Sequence, residues 1–445
     1  MASSDDDVDP ELVELLRQKM GLVPKPKVGP HDEDTRVLED AQFAAYHAID
    51  VVIDPFKTKE AAELIYRMMQ RKKYSTKTWD THPLHPKAKD EATVDFIFTM
   101  DLLNFSFWSG EEEKEKQFAI EYKGQKWNGY SSLVGCLQRA LDEDIPITTP
   151  SFWADEEKCS DEKLRHVFRS ATKEPIPMFD ERVKCLREAG KILCEKYDGK
   201  FSNCIKEADG RAGYLVNLLA DDFPCFRDTV EFKGKTIQIY KRAQILVADL
   251  WACFGGKGYG KFDDIDKITM FADYRIPQIL QHLGCIRYSP PLEMWIRDKK
   301  EIPSGSREEI EIRASTIWCV DAIRREILRR HPETAVGGAD AALIPEGSKT
   351  NEPEPAKDAE SMSTASKDEK KTDDAEWKST KVEVSTSAAE SKAGAASEET
   401  KKDDEEVKVG VNAILIDFLL YDTMKEMQAA NMEEMPHHRT RSIWY

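Results

Sequence analysis

The sequence predicts a mainly α fold, with one or two short β-hairpins, in a single helical domain. Three observations predict it. Apolar residues recur every three or four positions through most of the chain, the spacing of one helix face. Only two short stretches alternate apolar and polar residues around a glycine turn. No internal repeat and no strand–helix–strand alternation is present, which disfavours a parallel, dinucleotide-binding sheet.

Taken in order, helices are expected over 11–20, 35–50, 58–72, 91–103, 130–143, 180–197, 210–220, 239–254, 272–284 and 306–330. The last shows the pattern plainly, with Ile310, Ala314, Ile317, Val320, Ile323 and Ile327 on one stripe. The first hairpin runs through Ala119, Ile120, Glu121 and Tyr122, turns at Lys123-Gly124 and returns through Gln125, Lys126 and Trp127. The second has Thr229, Val230, Glu231 and Phe232, then Lys233-Gly234, then Lys235 to Ile239.

Composition breaks sharply at 335–410. That stretch holds nineteen acids against eleven bases, a net of −8, and its few large apolar residues show no period. It cannot bury enough apolar surface to offset chain ordering, so it is expected to be a disordered insertion. Beyond it, Val411, Ile414, Leu415, Phe418 and Leu419 restore a helical stripe. The two flanking helices are expected to form an antiparallel pair with the stretch between them extruded. The expected organisation is 1–334 as the main part of the domain, 335–410 as insertion, and 411–445 as a C-terminal helix and tail that complete it.

The 445 residues carry 65 Lys+Arg and 83 Asp+Glu, a formal charge of −18. That balance argues against a general nucleic-acid binder, which needs a basic footprint, and against an anionic-membrane binder. No apolar run approaches the roughly 20 residues of a spanning helix. The N-terminus, Met1-Ala2-Ser3-Ser4-Asp5-Asp6-Asp7, resembles neither a secretory signal nor a transit peptide. Nine cysteines, an odd number without a C-x-x-C pair, argue against a disulfide framework and a cysteine zinc site. Cys253, Cys285 and Cys319 read as core residues. A reducing compartment, cytoplasmic or also nuclear, is expected.

No Walker loop, H-E-x-x-H, G-x-S-x-G or zinc-deaminase pattern occurs. The Gly-rich 255–260 stretch lacks a preceding strand and a Lys-Ser/Thr ending, and reads as a helix C-cap and turn. Three blocks stand out. Asp101-Leu102-Leu103-Asn104-Phe105-Ser106-Phe107-Trp108 sets an Asp and an Asn among aromatics, which suits either a pocket for a flat heterocycle or a capped aromatic core. Along 240–251, Lys241 and Arg242 open a helix that also carries Asp249. They make either an anion site at a helix start or a solvated basic end with a structural Asp. Asp273, before Tyr274, Arg275 and Pro277, is either an N-cap or a carboxylate held rigidly at a helix start.

These blocks, in this order, closely resemble the queuosine salvage protein family, the queuosine 5′-phosphate N-glycosylases/hydrolases. The matching motifs are Asn104-Phe105-Ser106-Phe107-Trp108, the 241–249 run from Lys241 to Asp249, and Met270-Phe271-Ala272-Asp273-Tyr274-Arg275. Gly129-Tyr130, Ala140-Leu141-Asp142-Glu143 and His438-Arg439-x-Arg441 join them. The resemblance spans roughly 11–334 and 411–445. The 335–410 stretch departs from it, being far longer than the family's usual connection.

The resemblance implies a helical domain similar to DNA glycosylases. It implies a hydrolase that releases queuine from queuosine 5′-monophosphate for salvage into tRNA, with no cofactor and no metal. Asp273 matches the catalytic aspartate. Asp101, Asn104, Phe105, Phe107, Trp108, Tyr130 and Asp249 become candidates for the base. Lys241, Arg242, Tyr274, Arg275 and His82 become candidates for phosphate and ribose. The partner expected is this small molecule, with no stable nucleic-acid or membrane binding. Two alternatives stay open: a modified-nucleotide binder without activity, and a glycosylase acting on a nucleic-acid strand.

Overall fold

The computed structural model describes residues 33–335, 410–430, 432 and 435–445. The expected helix over 11–20 and nearly all of the 335–410 stretch lie outside the described residues. In chain order the helices are α1 (Val37–Tyr46), α2 (Pro55–Lys72), α3 (Thr78–Thr81), α4 (Glu91–Leu102), α5 (Gly129–Asp142), α6 (Pro150–Trp153), α7 (Asp161–Val167) and α8 (Phe179–Lys196). They continue with α9 (Phe201–Ala208), α10 (Ala212–Asp222), α11 (Lys241–Cys253), α12 (Arg275–His282), α13 (Pro290–Arg297), α14 (Arg307–Arg330) and α15 (Ala413–Ala429). The fold is mainly α. No helix among the described residues is long and apolar enough to cross a membrane.

Local chemistry sets most boundaries. Asp54 caps α2 by accepting from the Phe56 and Lys57 amides, with Pro55 at the first helical position. Asp90 caps α4 through the Thr93 amide, and Ser306 caps α14 through that of Glu309. The turn after α11 has Gly255 and Gly256 at φ 59° and 71°, and the Gly256 amide donates to Trp251 O at 2.9 Å. The Gly-rich stretch is therefore a helix stop.

Both expected hairpins form. β2 (Ala119–Tyr122) pairs with β3 (Gln125–Asn128), and β4 (Thr229–Phe232) with β5 (Lys235–Gln238), each antiparallel. Both turns are Lys-Gly with positive φ at the two central residues, which fits the right-handed twist of the strands. A third pair, β1 (Val51–Ile53) with β6 (Ile286–Tyr288), was not expected. Three residues are too few to show alternation, and the partner lies far along the chain.

The centre of the molecule is α4 and α11, which pack on each other; α10 also packs on α11. Every residue of α4 from Val94 to Leu102 is buried except Asp95. A helix enclosed all round has no solvent to satisfy its last carbonyls. Two arginines do so instead. Arg182 of α8 donates to Leu103 O and Phe105 O, and Arg242 of α11 donates to Asp101 O, Leu102 O and Cys225 O. The long α14 packs on α1 and α2 and also on α15. At its end the Val411 amide donates to Thr334 O at 2.9 Å, so the chain returns to the place it left.

The last residues bind back to the centre. The Ser106 amide donates to Tyr445 O, the Trp108 indole to Thr440 O, and Arg441 to Trp108 O. We propose that residues 340–406 are dispensable for the stability of the described part. Deleting 340–406 is expected to raise the melting temperature by no more than about 3 °C, since shortening the connection roughly tenfold saves about 0.6 kcal/mol per halving, about 2 kcal/mol in all. A scanning-calorimetry trace of the deleted protein checks this.

Candidate active site

A carboxyl at the end of an enclosed helix is forced into the protein interior. Asp101, in the last turn of α4, is fully buried. Its Oδ1 accepts from the Asn104 amide group at 3.2 Å, while its Oδ2 is buried with no hydrogen-bond partner among the described residues. Burial and the neighbouring Asp249 hold its carboxyl well above the usual carboxylate range. Asp249, two turns along α11 from its start, is 7 % exposed, and burial pushes it up to about 8. The Tyr130 phenol lies in the field of both acids, and its oxygen is 2.8 Å from His85 Nε2.

The other end of the site is built where α12 begins. Asp273 Oδ1 accepts from the Arg275 and Ile276 amides at 2.9 and 2.8 Å, so the N-cap reading holds. The side chain is only half-buried, unlike Asp101. Burial raises its carboxyl, while the Lys241 ammonium and the two amides pull it back. Lys241 is 5 % exposed, and burial lowers it to about 8. Its amide donates to Asp228 Oδ2, which also pairs with Arg313 at 2.5 Å. The N-terminus of α11 is thus pinned from the protein side.

Two residues without a sequence assignment join this constellation. Asp417 of α15 is 5 % exposed and lies in the electrostatic reach of Asp273, Lys241 and Asp249. Tyr421, one turn further, lies near Tyr274, Asp273 and Arg275. A signal existed for Asp417: it is the only charged residue from Val411 to Leu420. The tail adds His437, whose ring sits 4.6 Å from that of Tyr274, and Tyr445, whose ring lies 5.9 Å from Lys241 Nζ.

Two expected site residues, Arg242 and Phe105, are enclosed by protein, and a third, His82, does not suit the phosphate. Arg242 is 1 % exposed, and its guanidinium is committed to three carbonyls, which leaves it no face for a phosphate. Phe105 is fully buried, with Arg182 at 4.4 Å and Arg242 at 5.1 Å from its ring, so it belongs to the core. His82 sits beside Tyr130, stacked on His85 and 3.1 Å from Ser131 Oγ; its contacts are at the Tyr130 end rather than at Lys241. Burial lowers it to about 4, so it is neutral at pH 7 and a poor phosphate partner. Trp108 is nearly buried, with Arg441 stacked 3.5 Å from its ring. Asn104, Phe107, Tyr130, Tyr274 and Arg275 are half-buried. Arg275 also donates to Gln278 and Gln428.

No group of three or more His, Cys, Asp or Glu among the described residues is placed to hold a metal ion. A separate cavity of about 250 Å³ lies behind Ile268 to Met270, lined in part by Asp34, Lys267 and Arg324. It contains none of the site carboxylates.

Fold and site together define a mainly α protein with a buried cluster of acids gathered around one lysine. The chain belongs to the queuosine salvage protein family, whose model matches residues 84–349 and 368–445. The unmatched internal part, 350–367, is shorter than the 335–410 stretch set apart by composition. The chain is 43 % identical over 301 residues to the queuosine 5′-phosphate N-glycosylase/hydrolase of Schizosaccharomyces pombe, covering 66 % of this chain and 87 % of that protein. The same-named protein of Bos taurus is 41 % identical over 310 residues, 69 % of this chain and 89 % of its own length. That of Sphaerobacter thermophilus is 37 % identical over 309 residues, 69 % and 88 %.

Proposed function

We propose that the protein hydrolyses the N-glycosidic bond of queuosine 5′-phosphate and releases the base queuine. The C1′–N bond breaks, and water gives its hydroxyl to C1′ and its other proton to the departing ring nitrogen, so the products are queuine and ribose 5-phosphate. The observation that carries this reading is a partly buried carboxylate, Asp273, held at a helix start beside Lys241. The family match and the names of the relatives support it.

The chemistry suits the residues. Positive charge builds on the sugar as the bond stretches, and a fixed carboxylate beside C1′ stabilises it. A 7-deazapurine has carbon in place of N7, so the departing base cannot be protonated there. Its negative charge must be met at other edges. Burial raises the carboxyls of Asp101 and Asp249, the latter to about 8, and in the protonated form each can donate a hydrogen bond to it. Queuine also carries a cationic secondary amine, and either acid can ionise to pair with it. Phe107 and Tyr130 offer ring surface to a flat base. At the far end Lys241 meets the 5′-phosphate, with the N-terminus of α11 behind it.

Lys241→Ala tests the phosphate end. Losing a charge-assisted hydrogen bond costs about 1.5–3 kcal/mol, so kcat/KM for queuosine 5′-phosphate should fall roughly 10- to 150-fold. The unphosphorylated nucleoside should lose less than about threefold. Steady-state kinetics on the two substrates decides; equal losses would remove Lys241 from the phosphate site.

A further inference from the structure

Asp417 is an odd residue for its place. It sits in an apolar run between Ile416 and Phe418, and it is buried. From α11 it faces Lys241 and Asp249, and from the loop before α12 it faces Asp273. Adding a buried carboxyl next to two others is unfavourable unless it does something an apolar residue cannot.

What it does is visible in the backbone. Asp417 Oδ2 accepts from the Phe271 amide at 3.0 Å. The Phe271 and Phe418 rings lie 6.1 Å apart, so α15 holds Phe271 by a hydrogen bond and a ring contact. Phe271 O in turn accepts from the Asp273 amide at 2.7 Å, which closes a three-residue turn. Asp273 Oδ1 then caps α12. The Asp273 carboxylate is thus fixed on one side by α12 and on the other by a turn that Asp417 anchors.

We propose that Asp417 is a positioning residue, which sets the place of the Asp273 carboxylate by anchoring the Phe271–Asp273 turn. It acts through the backbone and need not touch the substrate. Burial and the like charge of Asp273 push its carboxyl well above the usual range, which fits a neutral anchor rather than a second reacting anion. It also gives the segment beyond the insertion a part in the site. The proposal rests on Asp273 being the reacting carboxylate.

Asp417→Asn keeps an acceptor oxygen of the same reach, and Asp417→Leu removes it at similar size. The expected result is that Asp417→Leu lowers kcat about 100-fold, the scale of a displacement near 1 Å, with KM within about threefold. Asp417→Asn should return kcat to within about fivefold of the parent. Should Asp417→Leu fail to fold, Asp417→Ser, one bond too short to reach the amide, takes its place. A Leu or Ser variant with kcat within threefold of the parent would overturn the proposal. So would an Asn variant as impaired as the Leu one. Crystal structures of the parent and the Leu or Ser variant give a readout independent of activity. Asp273 should be displaced in the variant, and an unmoved Asp273 would also sink the idea. Failure of the functional reading shows elsewhere, as a parent protein that releases no base.

Discussion

Asp273→Asn is expected to lower kcat for base release by about 10²- to 10⁴-fold, the range for removing a carboxylate that acts in the transition state. Binding should survive. Asn keeps an oxygen that can accept from the Arg275 and Ile276 amides, so α12 retains its cap and the fold loses little, well under 1 kcal/mol. What it loses is the negative charge beside Lys241. Single-turnover release of base, run beside calorimetric binding of the intact nucleotide, separates the two effects. A variant that retains more than about a fifth of parental kcat would show that the carboxylate is not where the sugar charge develops. A variant that binds no nucleotide would make Asp273 a binding residue instead.

Asp228→Ala is expected to cost about 3–5 kcal/mol of stability, because it strands a buried charge. The Asp228 and Arg313 side chains are 3 % and 2 % exposed and meet through two hydrogen bonds, of 3.0 and 2.5 Å. Glu309 lies 3.4 Å from the same guanidinium and offsets part of the loss. Asp228 does more than pair. Its backbone oxygen accepts from the Ile239 and Tyr240 amides, and its Oδ2 accepts from that of Lys241. It therefore holds the approach to α11, where Tyr240 adopts a left-handed backbone with φ 48°. Urea unfolding at constant slope should show the midpoint falling in proportion. A loss below 1 kcal/mol would mean that Glu309 and water compensate almost fully.

How much of this was legible in the sequence depends on what kind of signal each element leaves. Nine of the expected helices form, eight of them with enough turns to show a 3.6-residue period and α12 marked by Asp273 ahead of Pro277, and α15 follows the stripe that Val411 and Ile414 begin. Both hairpins were marked by Lys-Gly turns. The other short helices were not, because four to eight residues show little period; α13, with Ser289 capping ahead of Pro290-Pro291, did carry a readable start. In the site, Asp101, Lys241, Asp249 and Asp273 are brought into one constellation, as their motifs suggested. Arg242 was misread because neighbours on a helix point about 100° apart, so adjacent basic residues cannot both face one ligand. Sequence does not say which of two faces is enclosed. Phe105 was misplaced for the same reason: its ring is the enclosed one of the run, and an aromatic run does not say which of its rings the core will take. Asp417 left a trace, a lone acid in an apolar helix, but the partner it holds lies 146 residues away in sequence.

The most direct test of the account is a chromatographic assay for free base after incubating the purified protein with queuosine 5′-phosphate. The account predicts release of queuine in step with loss of the nucleotide, and far slower release from intact tRNA. No release from the nucleotide, or release from tRNA at a comparable rate, would contradict it.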